Sequence, residues 1–221
     1  MFKQADASLR FVFLTGVTKF SQVSVFSGFN QPLDISMTDA YEALCGITEE
    51  ELHTRFAESI REMAASEGCT VEEMRRQLKR HYDGYHFSKE MTDIYNPFSL
   101  LNVFFNQDIR DYWFASGTPT YLIRLMNHFQ EGIDQLTGKY YSLDEFVNYK
   151  ADTEYPLPMN YQSGYLTIKD YDKRRKTFLL DFPNNEVKNG FLTLVASDYL
   201  KIRENVSNLA QDLAFFPDGD D

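Results

Sequence analysis

Apolar positions along the chain follow more than one rhythm. Residues 11–17, FVFLTGV, form a continuous apolar run rich in β-formers. That is the pattern of a strand buried on both faces, as in a parallel sheet covered by helices. Residues 23–26, VSVF, followed by Ser27-Gly28, allow a second short strand or a loop. From about residue 37 the spacing turns helical. Thr48 with Glu51 makes a capping box that opens a helix to about Ser66, with Leu52, Phe56, Ile60 and Met63 on one stripe. Thr70 with Glu73 opens a second helix, which runs to about His81 before Asp83-Gly84 stops it. Asn96-Pro97 sets an N-cap and a proline at the first helical position ahead of FSLLNVFF. Thr118-Pro119 repeats the device ahead of TYLIRLMNHF, and Ser142 with Glu145 makes a third box.

The last third changes character. Residues 164–169, GYLTIK, and 177–182, TFLLDF, are two β-like runs joined by the polar segment DYDKRRK, which predicts a hairpin. Pro183-Asn184-Asn185 then leads into a helix whose apolar face is Val187, Phe191, Leu194, Val195 and Leu200. Helices followed by a hairpin and another helix resemble a winged-helix unit. The end, AFFPDGDD, is an acidic tail of the kind that frays.

Composition narrows the class. Hydrophobic residues at 43% and charged residues at 25% of 221 positions describe a chain able to bury a sizeable core. The 19 Phe and 14 Tyr beside one Trp are unusual. Phe104, Phe105, Tyr112, Trp113, Phe114, Tyr121 and Phe129 lie in or beside the helical region, where helical spacing makes them core rings rather than a stacking platform. A net charge of −11 excludes a polybasic nucleic-acid binder, though a local basic patch survives in such a chain. Cys45 and Cys69, without a Cys-x-x-Cys spacing, are expected to be small buried hydrophobes in a reducing compartment. The stretch MFKQADASLR has no apolar segment of the signal-peptide kind, and no 18-residue apolar window occurs, so a cytoplasmic protein is expected.

Four stretches invite a chemical reading. Gly132-IDQLT-Gly138-Lys139-Tyr140 is the nearest string to a phosphate loop. Five residues separate its glycines instead of four, and Tyr140 stands where a magnesium-binding hydroxyl belongs, so it is read as a helix-terminating turn. Thr15, Thr18 and Lys19 close or follow the apolar run; they are either threonines capping a turn beside a solvated lysine or, at the carboxyl end of a parallel strand, side chains that point into a ligand crevice and suit contact with a γ-phosphate. His81, Asp83 and His86 lie within six residues but not at the i, i+4 spacing of two metal ligands on one helical face. They are read as a structural turn, and no metal is expected. Lys173, Arg174, Arg175 and Lys176, with Lys169 nearby, place four consecutive cations at the hairpin tip, which either stays solvated or touches nucleic-acid phosphates. No Ser/His/Asp or Cys/His nucleophile arrangement is present.

The strings FVFLTGVTKFSQVSVFSGFN, DIS, CGITEEEL, RHYDGYHF, YNPFSLLN, YWFASGTPTYLI, YQSGYLTI and FPNNEV occur in that order over residues 9–195. Together they resemble the predicted AAA-ATPase-like family common in gut Bacteroidetes, whose members usually precede a PD-(D/E)xK nuclease-like domain. The resemblance implies that residues 1–36 are a remnant of a P-loop-type core sheet with sensor-like Thr15, Thr18 and Lys19. Residues 37–155 would be a helical lid-like lobe, 156–205 a winged-helix-like unit and 206–221 an acidic tail. The implied fold class is α+β, mostly α. Complete members carry a phosphate loop and an acidic strand for magnesium before the last core strand, and this chain is expected to start after both. ATP and magnesium are therefore cofactors of a full-length member only. The chain by itself is expected to be non-catalytic, with the ATPase core, a nuclease-like domain or nucleic acid at the wing tip as partners. A stand-alone nucleic-acid- or protein-binding winged-helix module is the alternative.

Overall fold

The computed structural model describes residues 10–16, 33–115, 136–147 and 155–200, the last with side chains to Leu194. Elements form where caps and apolar stripes agree. Strand β1 (Ile47–Thr48) ends at the cap of α1 (Glu49–Arg55). The Thr48 hydroxyl accepts from the Glu51 amide while Glu51 Oε2 takes the Thr48 amide at 3.0 Å, as the sequence predicts. The helix does not continue to Ser66 in one piece. Phe56, at φ −113° and ψ 14°, breaks it from α2 (Ala57–Ser66). The break turns Phe56 onto Phe104, with ring centroids 5.2 Å apart. Helix α3 (Val71–Tyr82) carries the second complete capping box, Thr70 with Glu73. Strand β2 (Ile94–Tyr95) pairs antiparallel with β1, and α4 (Pro97–Asn106) follows from the Asn96 cap, whose Oδ1 accepts from the amides of Phe98 and Ser99. The short α5 (Tyr112–Ala115) packs beside it. Leu52, Ile60, Met63, Met74, Leu78, Leu100 and Val103 are fully buried between these helices.

The second half builds on a three-stranded antiparallel sheet. Strand β3 (Lys139–Ser142) leads into α6 (Leu143–Val147), which opens where Ser142 and Glu145 form the predicted box. Helix α7 (Leu157–Gln162) precedes the hairpin of β4 (Thr167–Asp172) and β5 (Thr177–Asp181), and α8 (Asn185–Leu200) follows it. The strand order is β3-β5-β4, so the first strand pairs with the last. A bulge between Ile168 and Asp170 makes Lys169 an extra residue in β4. A bulge of this kind bends the strand and re-aims the side chain it carries. Phe146, Leu157, Leu166, Ile168, Phe178 and Leu180 form the core of this half. A third cluster, with Tyr85, Ile94, Tyr165, Val187 and Phe191 buried, joins the halves.

The α+β expectation stands, with small antiparallel sheets among the helices. Several finer expectations do not. Residues 11–16 form no strand and lie exposed, Phe11 at 80%. A strand with two apolar faces is stable only between neighbours, and among the described residues none lies beside it. Strand β3 comes from inside the segment read as the helical lobe; its four residues are too few for a clear alternation. Cys45 is exposed and only Cys69 packs against a core. Phe105 is 85% exposed, because α4 buries the opposite face through Leu100 and Val103. The strand or loop at 23–26, the helix after Thr118-Pro119, Tyr121, Phe129, Gly132 and the acidic tail lie outside the described residues. Among the described residues no helix is long and apolar enough to cross a membrane.

Candidate functional site

The string HYDGYHF, residues 81–87, runs from the end of α3 into the junction between the two halves. Its turn needs Gly84, which sits at φ +88°. A Cβ there would lie 2.4 Å from the Pro183 carbonyl oxygen and 2.8 Å from Lys169 Nζ. Each residue of the string then commits to a different neighbour. The His81 ring meets Asp111 Oδ1 at 2.8 Å through Nε2. The Asp83 carbonyl accepts from Asn184 Nδ2 at 2.9 Å, and Asn184 Oδ1 caps α8 by accepting from the Val187 amide at 3.1 Å. The Gly84 carbonyl accepts from Lys169 Nζ at 2.8 Å, and the same ammonium donates to the Pro183 carbonyl at 2.7 Å. The bulge in β4 is what aims Lys169 at these two oxygens.

His86 closes the junction. Its amide donates to Thr167 Oγ1 at 2.8 Å, and that hydroxyl donates back to the His86 carbonyl at 3.0 Å. Nδ1 lies 2.6 Å from the Ile168 carbonyl and Nε2 lies 2.8 Å from Asp93 Oδ1. Both ring nitrogens therefore face acceptor oxygens. A second polar tie runs through Glu186 in the first turn of α8, fully buried, which accepts from Ser99 Oγ and from the Trp113 amide, both at 2.7 Å. Burial raises its carboxyl above the usual range against the pull of those two bonds.

Beside the turn lies a cleft of about 500 Å³, lined by Lys79, Arg80, Asp93, Lys169, Asp181 and Lys188 with Asp83 at its wall. Lys79 Nζ gathers three carboxylates, Glu49 at 3.0 Å, Asp93 at 3.1 Å and Asp83 at 3.6 Å. Burial works against the Lys79 charge, but bonds to Glu49 and Asp93 more than offset it and hold the ammonium above its usual range. Burial would also raise Asp93, and the bonds from His86 and Lys79 outweigh it, leaving that carboxyl low. For Lys169 burial wins over the attraction of Asp93, Asp83 and Asp181, so its ammonium titrates below the usual value. Lys79, Asp93 and Asp83 are tied to one another and Lys169 to backbone oxygens, which organises the junction.

The residues singled out in the sequence fall into separate places. Thr15 is exposed, and Thr18 and Lys19 lie outside the described residues. His81 and His86 turn to different aspartates, and among the described residues no three His, Cys, Asp or Glu side chains converge as metal ligands. Lys139 and Tyr140 of the loop-like string sit in β3, after Gly138 at φ +66°. Lys173, Arg174, Arg175 and Lys176 are exposed together at the β4–β5 turn. Asp172 builds that turn by accepting from the amides of Arg174 at 2.8 Å and Arg175 at 3.1 Å through Oδ1. Sequence reasoning missed the work of Asp93, Lys169 and Glu186. The Pro183-Asn184-Asn185 start of α8 was the available signal, since an N-cap asparagine marks where Glu186 falls in the first turn.

No family model matches the chain, and no solved structure matches it. The chain is 36% identical over 191 residues to a protein of Azotobacter chroococcum mcd 1 described as an uncharacterized protein in the vnfD 5′ region. The match takes in 84% of this chain and 34% of that protein, so the chain spans about a third of the length of the curated relative it matches.

Proposed function

We propose that the chain supplies the lid-like helical lobe and the winged-helix-like unit of an AAA-ATPase-like protein, and that it does not hydrolyse ATP by itself. The observation that carries this reading is the sheet order β3-β5-β4. A strand, two short helices and a hairpin whose second strand returns to the first make up the core of a winged-helix unit, and β3, α6, α7, β4 and β5 follow that order. The helical lobe joined to it through the 81–87 turn supports the lid-like part. In the Azotobacter protein the matching segment is one third of a longer chain, which is the setting such a part needs. Phosphoryl transfer from a nucleotide depends on backbone amides, a lysine and magnesium arranged by a phosphate loop, and none of the 221 residues forms that motif. The partner in this reading is an ATPase core or a nuclease-like domain. Isothermal titration with ATP and magnesium is expected to show no affinity tighter than millimolar. A magnesium-dependent affinity in the micromolar range would overturn the reading.

The exposed run of four cations at the β4–β5 turn favours a second reading, contact with nucleic-acid phosphates by the wing. Helix α7, where such a unit would place a reading helix, has the sequence LPMNYQ, with no basic residue and Leu157, Pro158 and Asn160 buried. Contact would therefore rest on the wing and be insensitive to base sequence. Duplex DNA binding is expected to be weak, to weaken steeply with salt, and to vanish when Arg174→Glu and Arg175→Glu are combined. Binding that is indifferent to salt, or that survives the double change, removes the wing as the contact.

A further inference from the structure

Asp83 is 2% exposed, and neither of its carboxylate oxygens accepts a well-formed hydrogen bond. The cation that faces it is Lys79 at 3.6 Å, and Lys79 is closer to Glu49 from α1 and to Asp93 from the segment before β2. One ammonium thus serves three carboxylates, and the most buried of them is served last. Lys169 from β4 adds positive charge but gives its short bonds to the Gly84 and Pro183 carbonyls, with Asp181 of β5 also drawing on it. Of these carboxylates His86 meets Asp93, and its other ring nitrogen faces the Ile168 carbonyl. A carboxylate so placed is unfavourable in its charged form on geometry alone.

The same residue holds the two halves together through its backbone, since its carbonyl takes the Asn184 side chain that caps α8 and the next carbonyl takes Lys169. We infer that Asp83 makes the junction between the helical lobe and the sheet unit an acid-tightened latch, closed most firmly when its carboxyl is protonated and loosened when it ionises. Burial pushes the Asp83 carboxyl from the usual 3.8 up to about 6, with repulsion from Asp93 and Glu49 adding to it and the Gly84 amide and Lys79 opposing. The sign follows from linkage. An opening that exposes Asp83 returns it to its ordinary value, so between pH 4 and 6 the closed junction holds more proton than the open one. Opening is then favoured as pH rises through that window and levels off above it.

The test is hydrogen exchange on the full chain at the amides of Tyr85, His86 and Val187, corrected for the intrinsic rate and read as an opening constant from pH 4.5 to 7.5. The wild type is expected to open roughly 10- to 100-fold more readily at the upper end. Asp83→Asn, which fixes the neutral form, is expected to reduce that slope and leave only the part that buried Glu186 contributes. A pH-independent opening constant in the wild type, or an unchanged slope in Asp83→Asn, overturns the latch. If the variant does not fold, the Asp83 carboxyl titration followed by carbon NMR in the wild type decides, an ordinary midpoint refuting it and a raised one supporting it.

Discussion

Replacing Gly84 with alanine is expected to destabilise the protein by about 2–5 kcal/mol, the sum of a left-handed backbone penalty and a forced shift in a packed junction. The backbone at Gly84 stands at φ +88°, where a side chain strains the chain whatever space surrounds it. Here there is no space either. The added carbon would meet the Pro183 carbonyl oxygen at 2.4 Å, a backbone atom held in place by the start of α8. Relief requires the 183–185 segment to move away, which also lengthens the Lys169 bonds to the Gly84 and Pro183 carbonyls. Urea unfolding monitored by circular dichroism measures the loss. A cost below about 1 kcal/mol would show that the junction yields easily, against the close packing expected of a protein interior.

Lys169→Met keeps the side chain out to Cε and removes its ammonium. Two carbonyl oxygens, of Gly84 and Pro183, then lose the donor that lies 2.8 and 2.7 Å away. Bonds from a charged donor contribute about 1.5–3 kcal/mol each, and part of that is returned because the burial of a charge is no longer needed. A net loss of about 2–3 kcal/mol is expected. The separate halves give the experiment its signature, because the change should expose the turn at 81–87 to protease before the helical lobe melts. Unchanged unfolding and unchanged cleavage would mean that the bulge, not the ammonium, sets the junction. Combining the two substitutions should cost less than their sum, since both act on the Pro183 carbonyl.

Much of this architecture is legible residue by residue. The boxes at Thr48, Thr70 and Ser142 and the Asn96-Pro97 start are local, since the capping side chain and the amide it satisfies lie within three positions. The hairpin is local too, its turn built by Asp172 within its own segment. What escaped the sequence depends on partners far away. The run at 11–17 has the composition of a buried strand, yet burial belongs to its neighbours and not to its letters. Phe98 and Leu101 in FSLLNVFF look as apolar as Leu100 and Val103, and only the position of α2 and α3 decides which face is covered. Lys169 reads as one more cation near a charged turn until the bulge removes it from the ladder and sends it 85 residues back along the chain to Gly84.

The sequence by itself determined where the helices opened by Thr48, Thr70, Asn96 and Ser142 begin, where the hairpin turns, and that the wing tip is basic in a chain of net charge −11. These follow from interactions spanning a few residues, whose geometry the backbone repeats everywhere. Only the tertiary structure decided that HYDGYHF is a junction, that β3 closes the sheet, and that Asp83, Asp93 and Lys79 share one cluster. Those outcomes rest largely on burial and charge supplied by residues as far as 101 positions apart, and a carboxylate has no fixed character until its distant neighbours have taken its water away.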